Sequence, residues 1–139
     1  VIKYLPYVLI IYLLAGCAHE SNTMSLLDYS VKEVKLSQFE NFGGINEQYV
    51  LSFVRPEEIA IFEQAVQTAT KQSDPEKNFM PDYDLLIEYD IAEGDLPTHG
   101  IHMWLGNPVQ FMYIADQQVY TATVDMSEKL ITLLNNRPL

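Results

Sequence analysis

The sequence predicts an α+β domain: an antiparallel sheet of about five to six strands with two helices packed on one face. Three observations carry that class. The stretch from Tyr83 to Ile91 alternates, with Tyr83, Leu85, Ile87, Tyr89 and Ile91 on one side and Asp84, Glu88 and Asp90 on the other, the period-2 pattern of an antiparallel strand with one buried and one wet face. Three β-rich runs follow, Ile101 to Leu105, Val109 to Ile114 and Val119 to Thr123, punctuated by Gly106-Asn107-Pro108 and Asp116-Gln117, and so read as a meander. Two segments are spaced for helices instead: Ile59, Phe62, Val66 and Ala69, then Leu130, Ile131, Leu133 and Leu134. Helices outside the run of strands, rather than alternating with each strand, favour α+β over a parallel sheet.

Taken in order, Val31, Val34 and Leu36 within Tyr29 to Phe39 predict a first strand of imperfect periodicity. Gly43-Gly44 breaks it, and the β-formers of Tyr49 to Val54 complete a hairpin. Arg55-Pro56-Glu57-Glu58 opens the first helix, because proline suits the first turn and acids complement the positive end of the dipole. Lys71 to Pro75 closes it, and Gly94 to Pro97 turns the chain out of the alternating strand. Asp125 with Glu128 three residues later resembles a capping box for the terminal helix. Which face the helices cover stays open: the core lies on the odd positions, or on the even positions with Trp104 in it. Asp82, Asp84, Glu88 and Asp90 read as a solvated face rather than a calcium site, since calcium usually draws its ligands from a turning loop.

The N-terminus has a different character. Lys3 precedes an uncharged apolar stretch from Tyr4 to Leu13, the length of a secretory h-region and too short for a spanning helix. Leu14-Ala15-Gly16-Cys17 follows and resembles the lipobox of bacterial lipoproteins, in which small residues admit the signal peptidase and the thiol accepts a diacylglyceryl group. Two acyl chains of the palmitate kind give stable anchoring where one is marginal. The expected organisation is therefore a signal peptide over 1–16, lipidated Cys17 and a flexible tether over 17–28, and a single domain over 29–139. Its expected place is the extracytoplasmic face of the cell membrane, with the membrane itself as partner through the lipid. The alternative is an uncleaved membrane helix ending at Cys17.

Composition narrows the partners. The formal charge is −11 and becomes −12 once Lys3 leaves with the leader, a field that repels phosphate backbones and anionic lipid headgroups alike, so neither nucleic acid nor direct electrostatic adhesion to the bilayer is expected. Cys17 is the one cysteine, so the domain holds without an internal disulfide.

Candidate sites are few. His99 and His102, with Glu93 and Asp95 nearby, have a composition zinc accepts, but residues three apart in a strand point to opposite faces and a structural site needs four ligands. Trp104, Met112 and Tyr120 are the candidate interaction surface, an apolar patch on the outer face if the helices cover the odd positions. No nucleophile elbow or phosphate-cradling glycine motif is present, so no catalytic residue and no cofactor is expected.

Pro81-Asp82-Tyr83, Trp104-Leu105-Gly106, the run Gln110 to Ile114, and Tyr120 together make most of the mature chain resemble the YhfM-like small lipoproteins of Gram-positive bacteria. The helix over Glu57 to Thr70 matches by position and amphipathicity. The chain departs from the pattern in its lipobox cysteine and in a longer insert at Ala92 to His99. The resemblance implies a cell-envelope location and a mixed fold, and it brings no catalytic residues. The resulting expectation is a non-catalytic envelope lipoprotein that binds a ligand or an envelope protein partner. Its alternatives are a metal-binding protein or metal-dependent enzyme using His99 and His102, and an accessory subunit of a membrane complex.

Overall fold

The alternating stretch becomes a strand near the middle of a seven-stranded antiparallel sheet, and both helices pack on the face that carries Leu85 and Ile87. The structure, a computed structural model, describes residues 22–72, 80–91 and 97–137. The expected signal peptide, Cys17, and Glu93 and Asp95 lie outside the described residues. The elements are β1 (Val31–Gln38), β2 (Tyr49–Phe53), α1 (Pro56–Thr68), β3 (Thr70–Lys71), β4 (Tyr83–Tyr89), β5 (Thr98–Trp104), β6 (Gln110–Tyr113), β7 (Val119–Thr121) and α2 (Val124–Asn135). In space the strands run β2-β1-β4-β5-β6-β7-β3.

The α+β class holds, with a strand more than expected. The addition is β3, two residues that leave α1 and pair with β7 at the far edge; so short a strand has no period to read. Across the core face Leu36 pairs with Leu85, Leu85 with Ile101 and Ile101 with Tyr113. Phe62, Ala65, Val66 and Ala69, with Met126 and Leu130 of α2, close over this row as one core. Among the described residues no helix is long and apolar enough to cross a membrane.

Local chemistry sets the helix ends. Pro56 occupies the first turn of α1 with Glu57 and Glu58 beside it, as the dipole favours. The cap of α2 differs from expectation: Thr123 is the N-cap, its hydroxyl accepting from Met126 N at 3.2 Å. Asp125 instead lies inside the first turn and pairs with Lys129 at 2.9 Å. The β-branched Thr123 reads as the end of a strand, which hides its capping role.

Two further expectations are corrected. The even face of the sheet is not wet where Asp84 lies. The β1–β2 connection, residues 39–48, crosses that face, so Asp84 is fully buried, whereas Glu88 is ion-paired to Lys35 at 2.8 Å and Asp90 is exposed. Nor does the described part of the expected tether hang free. Thr23 bridges Thr70, Met24 is 2% exposed, Met24 N donates to Ala69 O at 3.2 Å, and Lys71 N donates to Asn22 O at 2.6 Å. The polar spelling Asn-Thr-Met-Ser conceals one apolar side chain that fills the core edge.

Candidate functional site

Three places gather functional side chains. The first is a cleft at the β1–β2 side of the core face. Leu36 and Leu51 reach it from β1 and β2, Tyr83 from the start of β4, Leu105 from just after β5, and Leu134 from the last turn of α2. Asn135 and Arg137 are its polar lining, and it encloses about 230 Å³. Arg137 is held there from two sides. Its Nη2 donates to Glu58 Oε1 at 2.6 Å, and its guanidinium lies 5.6 Å from the centre of the Phe53 ring. Glu58 also accepts from Arg55 at 2.7 Å. The Arg55 hydrogen bond, and then that of Arg137, hold the Glu58 carboxyl below the usual carboxylate range against the opposing effect of burial. One acid on α1 thereby fixes Arg137, just past the C-cap of α2, and with it the mouth of the cleft.

The second place is the covered even face. Ser37, Asp84, His102 and Met112 stand in register on adjacent strands. His102 Nδ1 and Asp84 Oδ1 are 2.6 Å apart and both residues are fully buried; the other oxygen of Asp84 accepts from Asn46 N at 2.9 Å. Facing an ionised Asp84, Nδ1 is the ring's donor, and Nε2 has no hydrogen-bond partner among the described residues. The rings of Phe39 and Phe42 lie edge-on to His102 at 5.1 and 5.5 Å. Gly100 lets the crossing segment sit close, since a Cβ there would meet Ile45 Cγ1 at 3.0 Å. Gly43 allows the bend, with φ of 95°.

The third place is an aromatic cluster on the core face, beneath the docked N-terminal segment. Tyr89 Oη lies 2.7 Å from His99 Nδ1 and accepts from Leu27 N at 3.3 Å. Tyr113 donates to Ser25 O, and its ring is 5.1 Å from that of His99. Burial pushes the His99 imidazole down and the Tyr113 phenol well above its ordinary range. Asn22, Thr23, Ser25, Lys71, Tyr113, Asp116 and Tyr120 line an open depression beside it.

The structure separates most of the residues singled out in the sequence. His99 faces the core and His102 the opposite side, as strand parity requires, so they cannot share an ion; among the described residues no three metal-ligating side chains cluster. Trp104, Met112 and Tyr120 do not form one exposed patch. Trp104 is half-buried, while Met112 is 7% exposed next to His102 on the covered face. Tyr120 pairs with Phe111 and belongs to the core cluster on the other face. Sequence reasoning missed the cleft and the burial of Asp84; two phenylalanines and an isoleucine in the stretch from Phe39 to Ile45, read only as a strand end and a break, were the available signal.

An α+β chain with one antiparallel sheet is the class these observations define. No protein-family model matches the chain, and no curated protein matches it in sequence. Its fold is similar to the crystal structure of a thioesterase-like protein from Clostridium sporogenes, at 11% identity and a TM-score of 0.57, over 73% of this chain and 91% of that one. Identity so low shows a shared fold alone.

Proposed function

We propose that this chain is a lipid-anchored module of the bacterial cell envelope, held on the extracytoplasmic side through Cys17, which works by binding rather than by catalysis. The bound group is a small amphipathic anion or an apolar side chain of an envelope partner with an acidic neighbour. The lipobox and the likeness to YhfM-like lipoproteins support the address. The observation that carries the binding is the cleft: half-buried Leu51, Tyr83, Leu105 and Leu134 over a floor of Leu36, with a fixed guanidinium at Arg137. Apolar walls with few convergent polar groups are the usual make-up of a ligand site, and a guanidinium is the donor that carboxylates match best.

Octanoate is a suitable probe. Titrated into the purified chain, it raises the melting temperature progressively, by the equivalent of about 1.4 kcal/mol at ten times its Kd. Leu134→Glu, which brings a negative charge into the cleft, abolishes the rise. No shift up to millimolar octanoate contradicts the proposal.

A second reading is thioester hydrolysis with His102 Nε2 as base, favoured by the 2.6 Å Asp84–His102 pair. Full burial beneath Phe39 and Phe42 weighs against it, because a base must come within hydrogen-bond reach of its substrate. Turnover of acyl-coenzyme A that disappears in His102→Ala would establish this reading over the first.

A further inference from the structure

The chain enters the domain lashed to one edge of the sheet. Lys71 N donates to Asn22 O and Met24 N to Ala69 O, Thr23 bridges Thr70, and the side chain of Met24 is buried. The hydroxyls of Tyr113 and Tyr89 hold Ser25 O and Leu27 N. Residues Asn22–Met24 therefore lie along β3, the last strand in the spatial order, and Ser25 and Leu27 pass on over the core face to Tyr113 of β6 and Tyr89 of β4. Four residues separate Cys17 from Asn22. A trans chain advances at most about 3.6 Å per residue, so the Cα of Asn22 lies within about 18 Å of that of Cys17. The cleft is far from this point: β1 stands five strand positions from β3, about 24 Å along the sheet at about 4.8 Å per strand.

Resting on the reading that Cys17 is lipidated, we propose that the β3–β7 edge is a bilayer-facing surface, and that the β1–β2 side with its cleft points away from the membrane. The attachment thus orients the domain instead of merely retaining it. The depression at the root of the attachment is lined by Lys71, Asn22, Thr23, Ser25 and Asp116, while the Tyr113 hydroxyl is spent on Ser25 O and Tyr120 is buried. A ligand or partner reaching the cleft then comes from the extracytoplasmic fluid or the wall, and not from the lipid phase.

The single natural cysteine makes the test clean, since a lipidated Cys17 leaves an introduced thiol as the only one to label. Full-length Thr68→Cys and Val54→Cys, both at exposed positions near opposite edges, are purified with their lipid, labelled with a fluorophore and placed in phosphatidylcholine vesicles carrying a minority of phosphatidylglycerol and a headgroup-linked quencher. The label at Thr68 is quenched several-fold more than the label at Val54. A flexible Gly-Ser insert of about twelve residues between Ala18 and His19 removes the difference. Equal or reversed quenching on protein whose N-terminal peptide carries the diacylglyceryl mass overturns the orientation alone. An unmodified Cys17 in the same preparation overturns the anchoring and the orientation together.

Discussion

Truncating one methionine separates a docked N-terminal segment from a free one. Met24 is 2% exposed and packs within the main core cluster, while its backbone extends the β3 edge through Ala69 O. Replacing a buried methionine with alanine costs about 2–5 kcal/mol, through lost transfer energy plus a residual cavity. Because Met24 lies on a segment at the margin of the core that can settle inward, the lower part of that range applies, about 2–3 kcal/mol. For a domain of this size that corresponds to a fall in Tm on the order of 10 °C. Urea unfolding followed by circular dichroism measures it, with the midpoint lowered and the slope unchanged, because the surface exposed on unfolding is nearly the same. Leu27→Ala, at a residue 36% exposed, is the comparison and costs under about 1 kcal/mol. A Met24→Ala protein within about 0.5 kcal/mol of the parent would refute the docking, and with it the short reach between anchor and domain.

The remaining predictions concern the buried acid, the histidine of the aromatic cluster and the helix cap. Asp84→Leu leaves Asn46 N–H and His102 Nδ1–H without their acceptor and destabilises by about 3 kcal/mol, whereas Asp84→Asn keeps an acceptor and costs less; equal small losses in denaturant titrations would mean that the pair is open to water. Burial lowers the His99 pKa, so the folded protein binds fewer protons than the unfolded chain once pH falls below about 6.5. The stability contributed by neutral His99 is complete above that pH and is lost as pH falls toward the depressed folded value. Urea midpoints compared at about pH 7.5 and about pH 5.5 decline less steeply in His99→Gln than in the parent, and an identical decline contradicts this assignment. Thr123→Ala costs about 1 kcal/mol and Asp125→Ala less than half as much, while the reverse order in thermal melts would restore Asp125 as the cap.

Much of the fold was legible because its signals are local. Alternation at Tyr83–Tyr89, proline and acids at the start of α1, and helical spacing at Leu130–Leu134 each act through their own backbone. What failed were statements about partners distant in sequence. Alternation says that Asp84 lies opposite Leu85; it does not say whether another part of the chain covers that side, and here residues 39–48 do. The proposed Trp104–Met112–Tyr120 patch failed for a related reason: the connection of residues 114–118 resets strand parity, so Tyr120 comes out beside Phe111 rather than Met112. The opposite orientation of His99 and His102 was readable, since both belong to one strand. The cleft was not, because its five apolar walls come from five elements or connections and meet only in the folded chain.

The claim on which the rest turns is chemical: Cys17 becomes the lipid-bearing N-terminus of the mature protein. Mass spectrometry of the N-terminal peptide, from protein extracted out of the membranes of its native host, tests it directly. The expected peptide begins at Cys17 and carries a diacylglyceryl group on its sulfur. A peptide retaining any of residues 1–16, or an unmodified thiol at Cys17 on membrane-bound protein, contradicts the account.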